Sequence, residues 1–268
     1  MKNFYVTDES IELFKFTIEK GKNLLLTGPT GSGKTSLVYE MRDRLAPTQK
    51  IIRVNLNGQC SYSDFVGCYT LRGGETVWVD GVLPVAMKKG YWLLLDEIDY
   101  GDPVIIGALN VILEPTGVLV LKEKDGEEVV KHKDFRVFAT ANTLGSQSIY
   151  KSIYAGTNYL NTAFLDRFVF MEVPYLPQPE EEKILVRMGI PQTDSEMLSN
   201  LAENCRRSFM DETQAFTVSP RFVQDVAEHA KATATHIPNS LLKLSKGRLA
   251  MEDFTTMEKL TQRYWGTV

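Results

Sequence analysis

The sequence is poor in the residues that build disulfide frameworks and metal centres. Of its 268 residues, three are cysteine and three are histidine. The cysteines are odd in number and lack CxxC spacing, which predicts free thiols in a reducing compartment. The histidines are too dispersed to suggest a metal site. These six residues are Cys60, Cys68 and Cys205, and His132, His229 and His236.

Long apolar runs and strong net charge are also missing. No stretch approaches the roughly 20 consecutive apolar residues that cross a bilayer. The first ten residues lack the apolar run and cleavage pattern of a signal peptide. The formal net charge of −4 provides no basic field to attract nucleic acid or an anionic membrane. We therefore expect a cytoplasmic protein without a membrane partner.

The pattern of apolar residues divides the chain into two parts. Up to about residue 175, short apolar runs alternate with helical patterns, which predicts a parallel sheet sandwiched by helices. Three prolines within 174–179 indicate a linker, and beyond it the strand signal ends. We expect an α/β core over 1–175 and a small α-helical lid over 180–268. The predicted strands are 24–27, 51–56, 92–96, 136–141 and 168–173, and the predicted lid helices are about 180–188, 195–208, 219–235 and 252–264.

A glycine-rich loop follows the first predicted strand. Residues 28–35 fit G-x-x-x-x-G-K-[ST], in which backbone N–H groups turn inward around phosphates. Lys34 would reach the β- and γ-phosphates, and the Thr35 hydroxyl would hold Mg²⁺. A strand before the loop and a helix after it are what this chemistry requires. The predicted nucleotide-binding residues are Gly28, Pro29, Thr30, Gly31, Ser32, Gly33, Lys34, Thr35 and Ser36.

A second motif is the apolar run 91–95, which ends in Asp96 and Glu97. A buried strand that ends in this way delivers both carboxylates to the edge of the sheet where ligands bind. Asp96 would support the Mg²⁺ shell, and Glu97 would polarise the attacking water as general base. In isolation, a strand followed by a polar turn explains the same residues.

Three further polar residues are weak signals when taken singly. Asn142 directly follows the predicted strand 136–141. There its side chain would hydrogen-bond the γ-phosphate or the water held by Glu97, or it would simply form a turn. Arg167 immediately precedes the strand 168–173, and Arg221 follows Ser219-Pro220 at the start of a lid helix. Most arginines in such places are surface ion-pair partners.

Together and in this order, these motifs resemble those of an AAA+ ATPase. The phosphate loop is followed by Leu-Leu-Leu-Asp-Glu, Ala-Thr-Ala-Asn, Phe-Leu-Asp-Arg-Phe and Ser-Pro-Arg. The resemblance narrows to the MoxR clade, with its CobS-like and CbbQ/NorQ-like members. Its specific cues are the run 78–83, Leu95-Asp96-Glu97-Ile98 with Pro103 following, and Leu109 to Glu114 ahead of a hairpin.

The resemblance implies an enzyme that binds and hydrolyses ATP with Mg²⁺ and works as a ring, expected to be a hexamer. It implies that Asn142 is the first sensor and that Arg221 is the lid sensor of its own subunit. Arg167 would be the finger that enters a neighbouring subunit's site, where it stabilises transition-state charge. Two inserts, about 71–80 and about 118–130, resemble segments that face the pore or the partner in relatives. Trp78 in the first insert is equally well explained as a core aromatic.

Three functions remain open. The first is a motor that remodels or activates a separate client or adaptor, which in this clade is often a von Willebrand factor A domain protein. The second is a nucleic-acid-directed AAA+ protein such as a helicase loader or restriction motor, disfavoured by the acidic charge but kept open by basic residues within 240–263. The third is a nucleotide-stabilised scaffold, which the presence of Glu97, Asn142 and Arg167 argues against. The polar segment 145–158 has no assigned role.

Overall fold

The structure is a computed structural model that describes residues 5–56, 60–142 and 160–266. The segment 145–158 therefore lies outside the described residues. The chain forms two compact units. An α/β unit accounts for most of Val6–Val173, and a helical unit begins at Pro174.

A five-stranded parallel sheet forms the centre of the α/β unit. Its spatial order is β2-β5-β8-β1-β9, and each neighbouring pair is parallel. This confirms the predicted fold class, an α/β sheet followed by a helical lid. Because the strands are parallel, their carboxyl ends meet at one edge of the sheet, where ligands bind in such folds. The strands are β1 Asn23–Thr27, β2 Ile51–Asn55, β5 Trp92–Asp96, β8 Arg136–Ala141 and β9 Phe168–Glu172.

Helices pack on both faces of this sheet because successive strand residues point to opposite sides. On one face, the ring of Phe138 stacks on Phe14 of the first helix, with ring centroids 5.5 Å apart. On the other face, Val137 and Ala139 belong to a buried cluster that includes Leu109. The helices of this unit are α1 Asp8–Lys20, α2 Lys34–Leu45, α3 Tyr62–Phe65, α4 Val82–Lys89, α5 Pro103–Ile112 and α6 Thr162–Leu165.

Two antiparallel hairpins interrupt the α/β order. The second, β6 Val118–Leu121 with β7 Glu127–Val130, lies where the Asp125-Gly126 turn predicts it. The first begins earlier than expected. It comprises β3 Gly67–Arg72 and β4 Glu75–Asp80, joined by two glycines with positive φ, so the predicted insert 71–80 lacks the first four residues of the hairpin.

Trp78 of this first hairpin packs partly buried against the core cluster. Its indole Nε1 donates to Asp80 Oδ1 at 2.7 Å. The core interpretation of Trp78 therefore fits the structure better than an exposed contact residue. The most exposed large hydrophobic side chain of the hairpin is Leu71, at 74%, and Tyr69 is also exposed, at 48%.

The helical unit has its own core, formed by residues such as Leu198, Leu201, Val223 and Leu241. Helix α10 is absent from the predicted lid helices; its Pro238 lies in the first turn, where proline is tolerated. None of the helices among the described residues is long and apolar enough to cross a membrane. The helices are α7 Gln178–Arg187, α8 Gln192–Met210, α9 Pro220–Thr233, α10 Ile237–Lys246 and α11 Met251–Trp265.

Candidate functional site

The glycine-rich loop joins β1 to α2 at the carboxyl edge of the sheet. Gly28 has a φ of 147°, and a Cβ there would lie 2.2 Å from the carbonyl oxygen of Val173. Gly33 caps α2 with a φ of 96°, a conformation that side chains disfavour. The glycines of the pattern are thus required by the backbone path. Helix α2 directs the positive end of its dipole at the loop and has no acidic residue in its first turn.

Lys34 is buried at the start of α2, and its ammonium is held within the loop. Its Nζ donates to the carbonyl oxygens of Gly28 and Pro29 at 2.7 and 2.9 Å. It also donates to Asn142 Oδ1 at 2.9 Å, across 108 positions of sequence. The structure therefore brings the predicted lysine and the predicted first sensor into direct contact.

Asp96 ends β5 and is the centre of a hydrogen-bonding cluster. Its Oδ1 accepts from the Thr35 hydroxyl at 2.8 Å and from the Thr140 hydroxyl at 3.0 Å. Its Oδ2 accepts from Arg53 Nε at 2.5 Å. The two residues predicted to support a metal are therefore adjacent, and both carboxylate oxygens of Asp96 have partners.

Glu97 follows Asp96 in a left-handed conformation, with a φ of 57°. For a residue other than glycine, this region of φ/ψ is strained, and such strain collects at functional sites. The Glu97 amide donates to the Thr140 hydroxyl at 3.2 Å. The chain then turns through a short 3-10 helix, Ile98–Tyr100.

The backbone of Asn142 is fixed by a residue of that turn. Its N–H donates to Asp99 Oδ2 at 3.0 Å, and Asp99 is fully buried. A buried carboxylate needs hydrogen-bond or charge partners. By accepting from the Asn142 N–H, Asp99 holds the backbone that follows β8 in place. Asn142 is the last described residue before the gap at 143–159.

Arg167 lies at the opposite edge of the sheet. It precedes Phe168, which pairs with Asn23 at the beginning of β1, whereas the glycine-rich loop follows Thr27 at the end of β1. Five strand residues at about 3.3 Å each separate the two edges. The Arg167 guanidinium instead forms an ion pair with Glu114 at 2.5 Å and donates to the carbonyl oxygen of Ala163.

The remaining predicted residues have simpler surroundings. Arg221 is exposed in the first turn of α9, after Ser219, whose hydroxyl caps that helix by accepting from the Phe222 amide. Ser36 is exposed on α2, and Thr30 is exposed in the loop. Gly31 has a φ of 79°, and Ser32 is half-buried.

Three residues of the site were not predicted: Arg53, Asp99 and Thr140. Arg53 lies on an edge strand and is half exposed, so nothing in its sequence context distinguishes it from a surface arginine. Thr140 and Asp99 had a weak signal. Each is a polar residue in or beside an apolar run, and a buried polar group requires a partner.

Comparison with known proteins places these observations in a family. Residues 23–168 match the family model of the AAA domain, dynein-related subfamily. Among solved structures, NtrX from Brucella abortus matches with a TM-score of 0.56 and 17% identity, over 87% of this chain and 52% of that one. At this identity the match supports the fold alone.

Several curated proteins are similar in sequence. Midasin from Dictyostelium discoideum is 32% identical over 72% of this chain, but this chain matches only 3% of midasin. The aerobic cobaltochelatase subunit CobS from Sinorhizobium sp is 31% identical over 78% of this chain and 65% of CobS. Protein NorQ from Paracoccus denitrificans is 32% identical over 68% of this chain and 64% of NorQ. The chain thus spans less than two thirds of each of these relatives. The family match covers more than half of the chain, and the CobS and NorQ similarities agree with a MoxR-type protein, so the chain belongs to the dynein-related subfamily of the AAA domain family.

Proposed function

We propose that this protein hydrolyses ATP with Mg²⁺, that it does so as a ring of identical subunits, and that it uses the energy to remodel or activate a partner protein. The observation that carries the proposal is the convergence of Lys34, Thr35, Asp96 and Asn142 at one edge of the sheet, joined by hydrogen bonds of 2.8–2.9 Å. Residues from three separate parts of the sequence meet there because parallel strands end together.

The residues present fit a magnesium nucleotide. Mg²⁺ prefers oxygen ligands and is usually held by one or two protein groups together with phosphates and water. Thr35 and Asp96 are such a pair, with their side-chain oxygens 2.8 Å apart. When bound, Mg²⁺ neutralises charge on the phosphate oxygens. Within the described residues, no cluster of three His, Cys, Asp or Glu side chains suggests a different kind of metal centre.

Each residue of the edge has a proposed role. Lys34 and the backbone N–H groups of the loop bind the phosphates, and Glu97 takes a proton from the attacking water as general base. Asn142 orients the γ-phosphate or that water. Its contact with Lys34 supports this role, because both groups then face the same ligand.

Arg167 is proposed to act on the nucleotide of a neighbouring subunit. Its position at the amino edge of the sheet separates it from its own glycine-rich loop by the full length of β1. An arginine side chain does not span that distance, so Arg167 does not reach the phosphates of its own site to stabilise transition-state charge. A second copy would supply that arginine, which makes turnover depend on assembly. Arg221 is proposed as the lid sensor of its own subunit.

The partner is proposed to be a separate protein, and a von Willebrand factor A domain protein is the candidate that the MoxR resemblance suggests. The two hairpins are the proposed contact segments, because they contribute none of the residues of the phosphate site. Both expose apolar side chains, Leu71 on the first and Val120 and Val130 on the second. The proposed location is the cytoplasm, in keeping with three cysteines that are all free.

The test is phosphate release from ATP with Mg²⁺, measured beside binding of a fluorescent ATP analogue. Lys34→Ala should abolish binding. Glu97→Gln should bind ATP as tightly as the wild type but lose about 10²-fold or more of the turnover. Glu128→Gln, on an exposed position of β7, is the control for loss of one carboxylate. Normal hydrolysis by Glu97→Gln would show that Glu97 is not the base, and no hydrolysis by the wild type would refute the proposal.

A further inference from the structure

Thr140 is a polar residue in the middle of an apolar strand. Strand β8 is central in the sheet, with β5 on one side and β1 on the other. Between Val137 and Ala141, Thr140 has the only polar side chain, and it is 2% exposed. A hydroxyl so deeply buried requires hydrogen-bond partners, and the identity of those partners indicates what it does.

The partners are the two acidic residues at the end of β5. Leu95 pairs with Ala139, so the next residues along the two strands, Asp96 and Thr140, lie side by side. The hydroxyl is 3.0 Å from Asp96 Oδ1 and 3.2 Å from the Glu97 amide nitrogen. An amide only donates and a carboxylate only accepts, so the hydroxyl donates to Asp96 and accepts from Glu97.

This bridge is made where the backbone is strained. Glu97 has a φ of 57°, which a residue other than glycine adopts only when its surroundings hold it there. The bond from its N–H to Thr140 is a restraint of that kind. The direction of the Glu97 side chain follows from this backbone conformation, and therefore depends on the Thr140 hydroxyl.

We propose that Thr140 is a positioning residue for hydrolysis: its hydroxyl links Asp96 to Glu97 and holds the general base in its left-handed conformation. The inference rests on the proposed function of Glu97. Thr140 itself touches neither the nucleotide nor the water in this role. It acts through the two carboxylates, whose relative position it fixes.

A purely structural role is the competing explanation, and two substitutions separate the two. Thr140→Val keeps the shape and removes the hydroxyl, whereas Thr140→Ser keeps the hydroxyl and removes the methyl group. Thr17→Val is the matched control. Thr17 is fully buried in α1, and its hydroxyl donates to the Leu13 carbonyl at 2.7 Å, away from the site.

We expect kcat to fall in variants that lack the Thr140 hydroxyl and to stay unchanged in variants that keep it. Thr140→Val should lower kcat roughly 10- to 100-fold with an unchanged KM for ATP, because a base that is misplaced by about 1 Å costs this much. Thr140→Ser and Thr17→Val should retain wild-type kcat. Without nucleotide, the Glu97 amide should exchange with solvent deuterium at least tenfold faster in Thr140→Val than in the wild type, as measured by NMR. If Thr140→Val does not fold, Thr140→Ala replaces it, since it also lacks the hydroxyl and is smaller.

Wild-type kcat in Thr140→Val, or equal losses in Thr140→Val and Thr140→Ser, would overturn the inference. So would unchanged amide exchange at Glu97. Failure of the proposed function gives a different result: either the wild type hydrolyses no ATP, or Glu97→Gln hydrolyses it normally. An inactive Glu97→Gln beside a fully active Thr140→Val would refute the role of Thr140 alone.

Discussion

Arg206 donates hydrogen bonds to both carboxylate oxygens of Glu181, at 2.7 and 3.0 Å, inside the helical unit. The two side chains are 6% and 3% exposed. Arg206 Nε also donates to the Val218 carbonyl at 2.7 Å, and the guanidinium lies 5.0 Å over the ring of Tyr175. Burial raises the pKa of the Glu181 carboxyl, and the charge of Arg206 opposes that rise. The pair thus joins α7 and α8 to the segment that leads into α9.

Removal of one partner of this pair should be far more costly than removal of both. Arg206→Met leaves a buried carboxylate without its counter-charge, so we expect about 3–5 kcal/mol less unfolding free energy. Arg206→Met combined with Glu181→Met should recover most of the loss, since apolar side chains of similar volume replace a buried ion pair well. Urea unfolding of the two variants measures this difference. Arg207→Met, at an exposed neighbouring position, is the control, and a loss below about 1 kcal/mol in Arg206→Met would contradict the prediction.

Mixing two inactive variants should restore ATP hydrolysis. Arg167→Ala keeps an intact phosphate site, and Lys34→Ala keeps an intact arginine at the other edge of the sheet. Where the two variants are neighbours in a ring, the intact phosphate site of an Arg167→Ala subunit faces the Arg167 of a Lys34→Ala subunit. Phosphate release should therefore reappear on mixing, because the arginine supplied in trans stabilises the transition state. The specific activity of the wild type should also rise with protein concentration.

The control for this experiment is a chain that carries both Arg167→Ala and Lys34→Ala. It supplies neither part, so its mixture with Arg167→Ala should stay inactive. Recovery with this double variant would mean that the effect of mixing is not complementation. Full activity of the wild type at high dilution, where it is monomeric, would show that each subunit works alone.

Within the first hairpin, the contribution of an apolar side chain to the unfolding free energy should depend on how deeply that side chain is buried. Trp78 packs partly buried on the core, so Trp78→Ala should lower the unfolding free energy by about 2–3 kcal/mol, below the roughly 3–5 kcal/mol of a fully buried aromatic. Leu71→Ala, on the same hairpin but exposed, should change it by less than about 0.5 kcal/mol. Thermal melting compares them. Equal losses in both variants would contradict the packing of Trp78 described above.

Stability at high pH should depend on Cys205. Burial raises the pKa of this thiol from 9.0 to about 11. Between these two values the Cys205 thiol keeps its proton in the folded state and loses it in the unfolded state. The contribution of the protonated thiol to the unfolding free energy is therefore complete below pH 9 and is lost as the pH rises to about 11. Two pKa units correspond to about 2.7 kcal/mol.

Cys205→Ala should accordingly show a shallower loss of unfolding free energy than the wild type between pH 9 and 11. Other groups titrate in both proteins, so the difference between the two slopes isolates the thiol. Cys68→Ser, which changes an exposed cysteine, should keep the wild-type slope. Parallel slopes for Cys205→Ala and the wild type would show that the folded thiol titrates normally.

The sequence was most informative where a motif is continuous. The glycine-rich loop and the Asp96-Glu97 pair were found because each consists of adjacent residues after an apolar run. Thr140 and Asp99 were missed because their partners depend on the register between β5 and β8, which no single segment of sequence specifies. The contact of Lys34 with Asn142 has the same origin.

Local signals were also misjudged in two places. Gly73-Gly74 between two runs of residues with strand propensity is a hairpin signal, yet the predicted insert begins only at residue 71, inside β3. The helical pattern of 237–246 is missing from the predicted lid, although Pro238 lies in the first turn of α10, where its missing N–H costs no hydrogen bond.

The left-handed backbone at Glu97, the proposed general base, sets the proposed catalysis against stability at a single position. Glycine at this position would relieve about 1–2 kcal/mol of conformational strain, which exceeds its own entropic disadvantage of roughly 0.5–1 kcal/mol. A chain with glycine in place of this glutamate should therefore fold at least as well and lose about 10²-fold or more of the ATP turnover. Selection for folding alone would drift away from glutamate here. Its retention in a lineage would thus report continued use of the enzyme, and its loss would mark descendants that had become scaffolds.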